Sequence, residues 1–408
     1  MHESQKKLGA VFFETAGWER PHWYESNAGL LEAYGDAVLP REHEWDSRWW
    51  SPIINAEHLR MREAAGVIDL SAFQVFDVTG PGALDTVQRT CVAQCDVAVG
   101  KVIYTPVLDA KGGFVSDLTV MRLGDDHFRV VTGGAHGRAD LQWFGNQLPA
   151  DGATSITDHT DGVSTIGLWG PRARDILSGL TDDDVSDGGF GFLTCRDITV
   201  GGTAVLASRI SYVGELGWEL YVAADDAAEL WETLLEAGAA HGAVPVGICV
   251  YGTTGRIEKG YRAFGYELDA ERSIVEAGMQ RPKVKVAEFV GRDAYLAQRE
   301  SPVQSVLCTL VVDSHTSASG TQRYMLGGEP ILSATGEPLT DGHGHHPYVT
   351  TAGSAPSLGK HLLLAYLPPA EASIGNQLSV SYMEELYPVT VASVDATALL
   401  DPANERIR

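Results

Sequence analysis

The stretch 102–132 constrains the fold more than any other. Three strand-like runs, 102–108, 114–123 and 127–132, are separated by Asp109-Ala110-Lys111-Gly112-Gly113 and by Gly124-Asp125-Asp126. Runs too short for helices, joined by such turn formers, fold back on one another as an antiparallel meander. Glycine-proline pairs punctuate the chain on either side. Gly80-Pro81-Gly82 follows a strand-like alternation at 67–78, and Gly170-Pro171 follows another at 164–169. Each opens a helical pattern, the second running through Gly179, because proline suits a first helical turn. Further helices are expected at 57–66, 135–148, 225–242, 250–260 and 291–300, and strands at 204–212 and 218–223. From Pro302 onward short strands and glycine-rich turns point to a small all-β domain. The expectation is an α+β chain. Residues 1–285 form two related α+β units (one roughly 55–150), 286–302 a linker helix entered through 281–288, and 303–408 a C-terminal β-barrel domain.

Composition narrows the function classes. The chain has 408 residues, 44% hydrophobic and 21% charged, as in a globular protein. Lys and Arg number 30 against 54 Asp and Glu, a net charge of −24. This acidity argues against a nucleic-acid surface, which needs a basic footprint, and against docking on anionic membranes. No run approaches the ~20 apolar residues that span a bilayer. Residues 1–7 are polar and Glu14 interrupts the apolar stretch behind them, unlike a secretory signal. Five cysteines read as reduced thiols, so a cytoplasmic protein is expected. Cys91 and Cys95 lack a second Cys/His pair, and the Gly342-His343-Gly344-His345-His346-Pro347 loop lacks matching acidic or Cys ligands. No metal site is expected.

Three motifs carry chemistry. Asp117 interrupts a strand-like run, where a carboxylate must be satisfied by hydrogen bonds or face a polar cavity. It is either a strand-edge residue bonded to backbone amides or a functional acid. Glu215 lies between Gly214 and Gly217 in Ser211-Tyr212-Val213-Gly214-Glu215-Leu216-Gly217-Trp218-Glu219. It is either a solvated turn residue or a carboxylate that accepts a paired N–H donor on a heterocycle. Arg256-Ile-Glu258-Lys259-Gly260-Tyr261-Arg262 is either an ion-pair network or a cationic rim. Residues 1–52 hold Trp18, Trp23, Tyr24, Trp45, Trp49 and Trp50, an aromatic arm that packs on a core or lines a pocket. Phosphate loops, dinucleotide fingerprints and hydrolase elbows are all missing from the sequence.

In order and spacing, these motifs resemble the glycine-cleavage T-protein (aminomethyltransferase) family. The segments are Gly17-Trp-Glu-Arg-Pro21, Val67-Ile-Asp-Leu-Ser71, Gly112-Gly-Phe-Val-Ser-Asp117-Leu and Val130-Val-Thr-Gly133. They continue with Tyr212-Val-Gly-Glu-Leu-Gly-Trp-Glu219, Arg256-Ile-Glu-Lys-Gly-Tyr261, Phe289-Val-Gly-Arg292, Ser357-Leu-Gly-Lys360 and Asp401-Pro402. In character the chain is most similar to the folate-binding half of dimethylglycine and sarcosine dehydrogenases and to stand-alone tetrahydrofolate-dependent demethylases. Gly252 and Thr253 depart from the T-protein pattern, as does Gly133, where Asn is usual. The resemblance implies three domains around a central tetrahydrofolate site. It implies Asp117 as the catalytic carboxylate and Glu215 as the pteridine ligand. Tyr104, Val131, Arg256, Trp218 and Tyr212 are implied in the folate pocket. Trp18, Trp23, Tyr24, Trp49 and Trp50 are candidates for the wall around a small methylated donor, whether amine, sulfonium or aryl ether. Arg256, Lys259, Arg262, Lys285, Arg292 and Lys360 are candidates for the positive potential an anionic folate needs. The implied activity moves a methyl or methylene group to N5 of tetrahydrofolate. The alternatives are aminomethyl transfer from a lipoyl carrier protein and a non-catalytic folate-binding regulator.

Overall fold

The meander forms as expected, as the strands Val102–Leu108, Phe114–Gly124 and His127–Thr132. Gln74–Thr79 and Ser155–Asp158 extend it into a five-stranded antiparallel sheet. The computed structural model of the protein describes residues 1–39 and 50–408. A second sheet has six strands in the order Cys195–Val200, Thr203–Ser208, Gly217–Ala223, Val163–Trp169, Gly66–Asp69 and Val244–Val246. Only its last pair is parallel. Val75, Val102, Met121 and Val131 of the first sheet meet Leu206 and Tyr221 of the second in one apolar layer. The remaining faces carry helices: Ala83–Thr90 and Gly137–Gly145 on the first, Ala173–Ser178 and Ala227–Ala239 on the second.

Both Gly-Pro openings work as the sequence implies. Gly80 has φ +109° and Gly170 φ +135°, values closed to residues with a Cβ. A Cβ would meet the Ala153 carbonyl at 2.3 Å in the first case and the Ala64 carbonyl at 2.4 Å in the second.

Several boundaries differ from expectation. The alternation at 67–78 splits into two strands in different sheets. The helix expected from 57 starts at Pro52, with Ser51 Oγ accepting from the Ile53 amide at 3.2 Å. Ser before Pro at the first helical position is a start signal. The helix expected over 250–260 forms, but opens as a wider π-helical stretch, Val250–Gly255, before it tightens into Arg256–Glu258. The strand Cys195–Val200, with Arg196 and Asp197 breaking its apolar pattern, was not expected.

In the C-terminal part the strand order is Ile331–Ser333, Gln377–Tyr382, Glu385–Val394, Val306–Val312, Lys360–Leu367 and Val349–Ala355. No ladder joins the two ends, but a bridge between Pro330 and Tyr348 does. Ile331 N donates to the Pro347 carbonyl and Val349 N to that of Glu329, both at 2.9 Å. The sheet is open as a ladder and closed into a small barrel by this stitch.

Candidate functional site

Asp117 sits on Phe114–Gly124 beside Leu118 and Val120, whose side chains enter the apolar core. Alternation turns Asp117 and Thr119 to the opposite face. There Tyr104 OH donates to Asp117 Oδ2 at 2.8 Å, and the Phe264 amide donates to Oδ1 at 3.2 Å. The side chain is only part-buried by surface area, yet protein surrounds it on every side, so the surface it keeps belongs to a recess. Burial pushes its carboxyl up to about 6, against the lowering effect of the two hydrogen bonds and of Arg256.

Tyr104 bonds this carboxylate, and Tyr212 and Tyr251 lie near enough to feel its charge. Tyr212 lies 5.0 Å from Tyr251 and 5.7 Å, stacked, from Tyr261. Tyr251 also meets Trp169 at 5.6 Å and Phe73 at 6.0 Å, and Phe264 meets His136 at 4.9 Å. Tyr212 is fixed by donating its hydroxyl to the Arg262 carbonyl. Burial raises the Tyr251 hydroxyl well above the usual range, and the charges of Glu219 and Asp117 add to the rise. Two carboxylates therefore flank one tyrosine. Glu219 is buried, its carboxyl pushed up to about 7 by desolvation, and its Oε2 accepts from Tyr221 OH. Among the described residues its Oε1 accepts no hydrogen bond.

The other expected site residues divide. Tyr104 and Tyr212 join Asp117. Val131 is buried in the layer between the sheets, paired with Thr119, so it backs the recess rather than lining it. One oxygen of Glu215 is already engaged. Its Oε1 accepts from Arg62 at 3.0 Å and from Arg406 at 2.6 Å. Trp218 points the other way from Glu219 along its strand and is wholly buried against Phe190. Arg256 is not a free cation. It donates to Gly252 and Tyr261 carbonyls, to Glu267 at 2.9 Å and to Thr351 at 2.9 Å, joining this turn to the C-terminal domain.

The remaining cations, Lys360 apart, are also committed. Lys259 bonds the Leu400 and Asp401 carbonyls, and Arg262 those of Gly260, Ala277, Gly278 and Asp395. Lys285 bonds the carbonyls of Gln88, Cys91 and Ala93. Arg292 meets Glu288 at 3.6 Å, and Lys360 is exposed at a strand start. Of the aromatic arm, Tyr24 is core, stacked on Trp231. Trp23 is buried, with Nε1 donating to Glu25 at 2.7 Å. Trp50 packs beside Ile53 and Ile54. Trp49 falls outside the described residues. Trp18 alone lines a cavity, of about 250 Å³. In the histidine loop, His343 meets Glu276 at 2.5 Å and His346 the Leu339 carbonyl at 2.7 Å.

The chain matches the family profile described as GCVT N-terminal domain over residues 1–285 and that described as glycine cleavage T-protein C-terminal barrel domain over 307–395. It belongs to the glycine-cleavage T-protein family. A dimethylglycine dehydrogenase from Mus musculus is 29% identical over 96% of this chain, which spans only 43% of that protein. An aminomethyltransferase from Symbiobacterium thermophilum is 30% identical over 93% of this chain and 92% of its own. A 4-methylaminobutanoate oxidase (formaldehyde-forming) from Paenarthrobacter nicotinovorans is 29% identical over 46% of its length. The first of these curated relatives are thus more than twice as long as the region this chain spans. The fold is that of the aminomethyltransferase T of the Bartonella henselae glycine cleavage system, with TM-score 0.77 at 21% identity over 98% of this chain. Among the described residues no helix is long and apolar enough to cross a membrane.

Proposed function

We propose that the protein is a tetrahydrofolate-dependent one-carbon transferase that demethylates a small methylated substrate. The observation that carries this reading is Asp117, a carboxylate poised near neutral pH inside a tyrosine-lined recess of a T-protein fold. The residues fit a pteridine through Glu219 rather than Glu215. A pteridine offers an amino group and a ring N–H side by side; Glu215 and Glu219 each keep one oxygen that accepts no hydrogen bond among the described residues, but only Glu219 shares a neighbour, Tyr251, with Asp117.

Tetrahydrofolate supplies, when bound, the N5 nucleophile, which gains the one-carbon unit and loses its proton. The balance needs no oxidant: the donor's bond to methyl breaks, the new N–C bond forms, and an amine or ether leaving group takes up a proton. Asp117 is the group placed to manage that proton. Tyr104 holds one of its oxygens and the Phe264 amide the other, so the carboxylate is oriented before any ligand arrives. Tyr212, Tyr251 and Tyr261 exclude water and present ring faces to a cationic donor. Most of the acceleration then comes from positioning.

The test is incubation with tetrahydrofolate and a panel of methylated amines, sulfonium compounds and aryl ethers, with mass spectrometry separating 5-methyl- from 5,10-methylene-tetrahydrofolate. Asp117→Ala is expected to fold, bind folate and lose transfer by at least ~100-fold. The wild-type rate should fall as pH drops through about 6, and Asp117→Asn should abolish that inflection. Near-normal turnover by Asp117→Ala would sink the assignment. A second reading, aminomethyl transfer from a lipoyl carrier protein, is favoured by the end-to-end match to the Symbiobacterium enzyme. Release of ammonia that depends on an aminomethyl-lipoyl carrier protein would establish it instead. No transfer with either donor class would leave folate binding alone.

A further inference from the structure

A second titratable side chain, His136, stands beside Asp117. On the five-stranded sheet Thr119 pairs with Val131. Two residues further along that register, just past the strand end, Gly133 lies across from Asp117 and on the same face. Facing positions of such a ladder hold their Cβ atoms about 5 Å apart. A Cβ on Gly133 would meet His136 Cε1 at 2.7 Å and Nε2 at 3.1 Å. The imidazole thus occupies the place of a side chain at 133. Phe264 ties the two residues together. Its amide donates to Asp117 Oδ1 at 3.2 Å, and its ring meets the imidazole edge-on at 4.9 Å.

The two ring nitrogens of His136 differ. Nε2 is closed from solvent and stands 3.9 Å from Asp140 Oδ2, too far for a hydrogen bond. Asp140 is anchored there, its Oδ2 accepting from the hydroxyls of Ser116 at 2.8 Å and Thr132 at 2.5 Å. Nδ1 makes no hydrogen bond among the described residues either, and the side chain keeps 24% of its surface exposed. A carboxylate behind one nitrogen favours the proton on that nitrogen and leaves the other as a lone-pair acceptor. Burial lowers the imidazole pKa and so keeps the ring neutral. Contacts between catalytic groups are often long before substrate arrives and tighten once it is bound.

We propose that His136 is the base that takes the proton from N5 of the one-carbon acceptor, through Nδ1, with Asp140 behind Nε2 as its counter-charge. As the new N–C bond forms, the N5–H bond breaks and leaves its electron pair on N5. The imidazole gains that proton. Asp117 then serves the leaving group of the donor, so the two proton transfers of this site have separate carriers. This rests on the one-carbon-transfer reading and assigns a further residue within it.

The first test needs no donor. Nuclear magnetic resonance on protein with 15N-labelled histidine, assigned through His136→Gln, would follow both ring nitrogens of His136. Tetrahydrofolate would be titrated against 5-methyl-tetrahydrofolate, which has no N5 proton. The Nδ1 resonance should move to the position of a hydrogen-bond acceptor with the first and not with the second. Gly133→Ala, whose methyl group would displace the imidazole, should lose this response. Circular dichroism would check folding, and 5-formyl-tetrahydrofolate should bind His136→Gln within about threefold of wild type. With any donor that turns over, His136→Gln should lower kcat at least ~100-fold at unchanged KM, and added imidazole should restore part of the rate of His136→Ala. An Nδ1 resonance that the two folates leave in place or move equally, although both bind, would overturn the proposal. A loss confined to KM or to folate affinity would overturn it too, making His136 a ligand and not a base. Wild type that binds neither folate would sink the broader reading instead.

Discussion

Glu215 and Glu219 lie four positions apart, and the chain treats them oppositely. Glu215 precedes the strand Gly217–Ala223 and meets Arg62 and Arg406. Within the strand, alternation buries Trp218, Leu220 and Val222 in one core and turns Glu219 and Tyr221 to the other face. Each of the two glutamates keeps one oxygen that accepts no hydrogen bond among the described residues, but only Glu219 shares a neighbour, Tyr251, with Asp117. Glu219→Gln is therefore expected to weaken 5-formyl-tetrahydrofolate binding about tenfold, or ~1.4 kcal/mol. Wild-type affinity should itself decline as pH falls below about 7, where Glu219 takes up a proton. Glu215→Gln should instead lower thermal stability and leave the affinity of the folded protein within about threefold. A titration series on both variants decides the matter, and a larger affinity loss in Glu215→Gln would restore that residue as the ligand.

The helix Pro52–Glu63 shows how an element can organise a site without entering it. Glu57 accepts from the amides of Tyr24 and Gly247 and from Asn27, all at 2.8 Å. One turn on, Arg62 joins Glu215, Glu258 and the Val213 carbonyl. The helix so ties the N-terminal ribbon, the Glu215 turn and the Arg256 segment together. Desolvation pushes Glu57 up to about 8, above the opposing effect of its hydrogen bonds. A carboxyl with a raised folded-state pKa holds its proton where the unfolded chain has lost it. Stability from this group is fully present below about 4.5 and is lost as pH rises toward 8. The loss is on the order of 2–5 kcal/mol at ~1.4 kcal/mol per unit. Urea unfolding between pH 5 and 8.5 should show that slope in wild type and a flatter one in Glu57→Gln. An unchanged slope would mean that Glu57 is charged throughout. None of these ties was legible in the sequence, because the partners lie far apart; Glu215 and Arg406 are 191 positions from each other. The meander, the Gly-Pro openings and Asp117 were legible because turn chemistry and alternation are local. The helix expected over 250–260 forms, but its opening as a wider π-helical coil at Val250–Gly255, through the poor helix formers Gly252, Thr253, Thr254 and Gly255, was not legible.

On the scale of the whole molecule, the net charge of −24 meets a proposed ligand, folate, that is itself an anion. Most of the cations expected to relieve that conflict are spent elsewhere. Arg256, Lys259, Arg262 and Lys285 neutralise carbonyls and carboxylates of the chain itself and hold its parts together. Arg256 illustrates the trade. Removing a buried partner of Glu267 should cost about 3–5 kcal/mol of stability, with little specific loss of folate affinity. Thermal melts beside calorimetry on Arg256→Ala would separate the two effects. What remains outside is a negative field, screened over ~10 Å at 0.1 M salt. A folate with several glutamates carries its extra charges into that field rather than onto a basic rim. Pentaglutamyl tetrahydrofolate should bind no tighter than the monoglutamate at 20 mM salt, and raising salt to 200 mM should favour the longer form. The reverse order, with low salt strongly favouring the pentaglutamate, would require a basic track that the saturated cations do not supply.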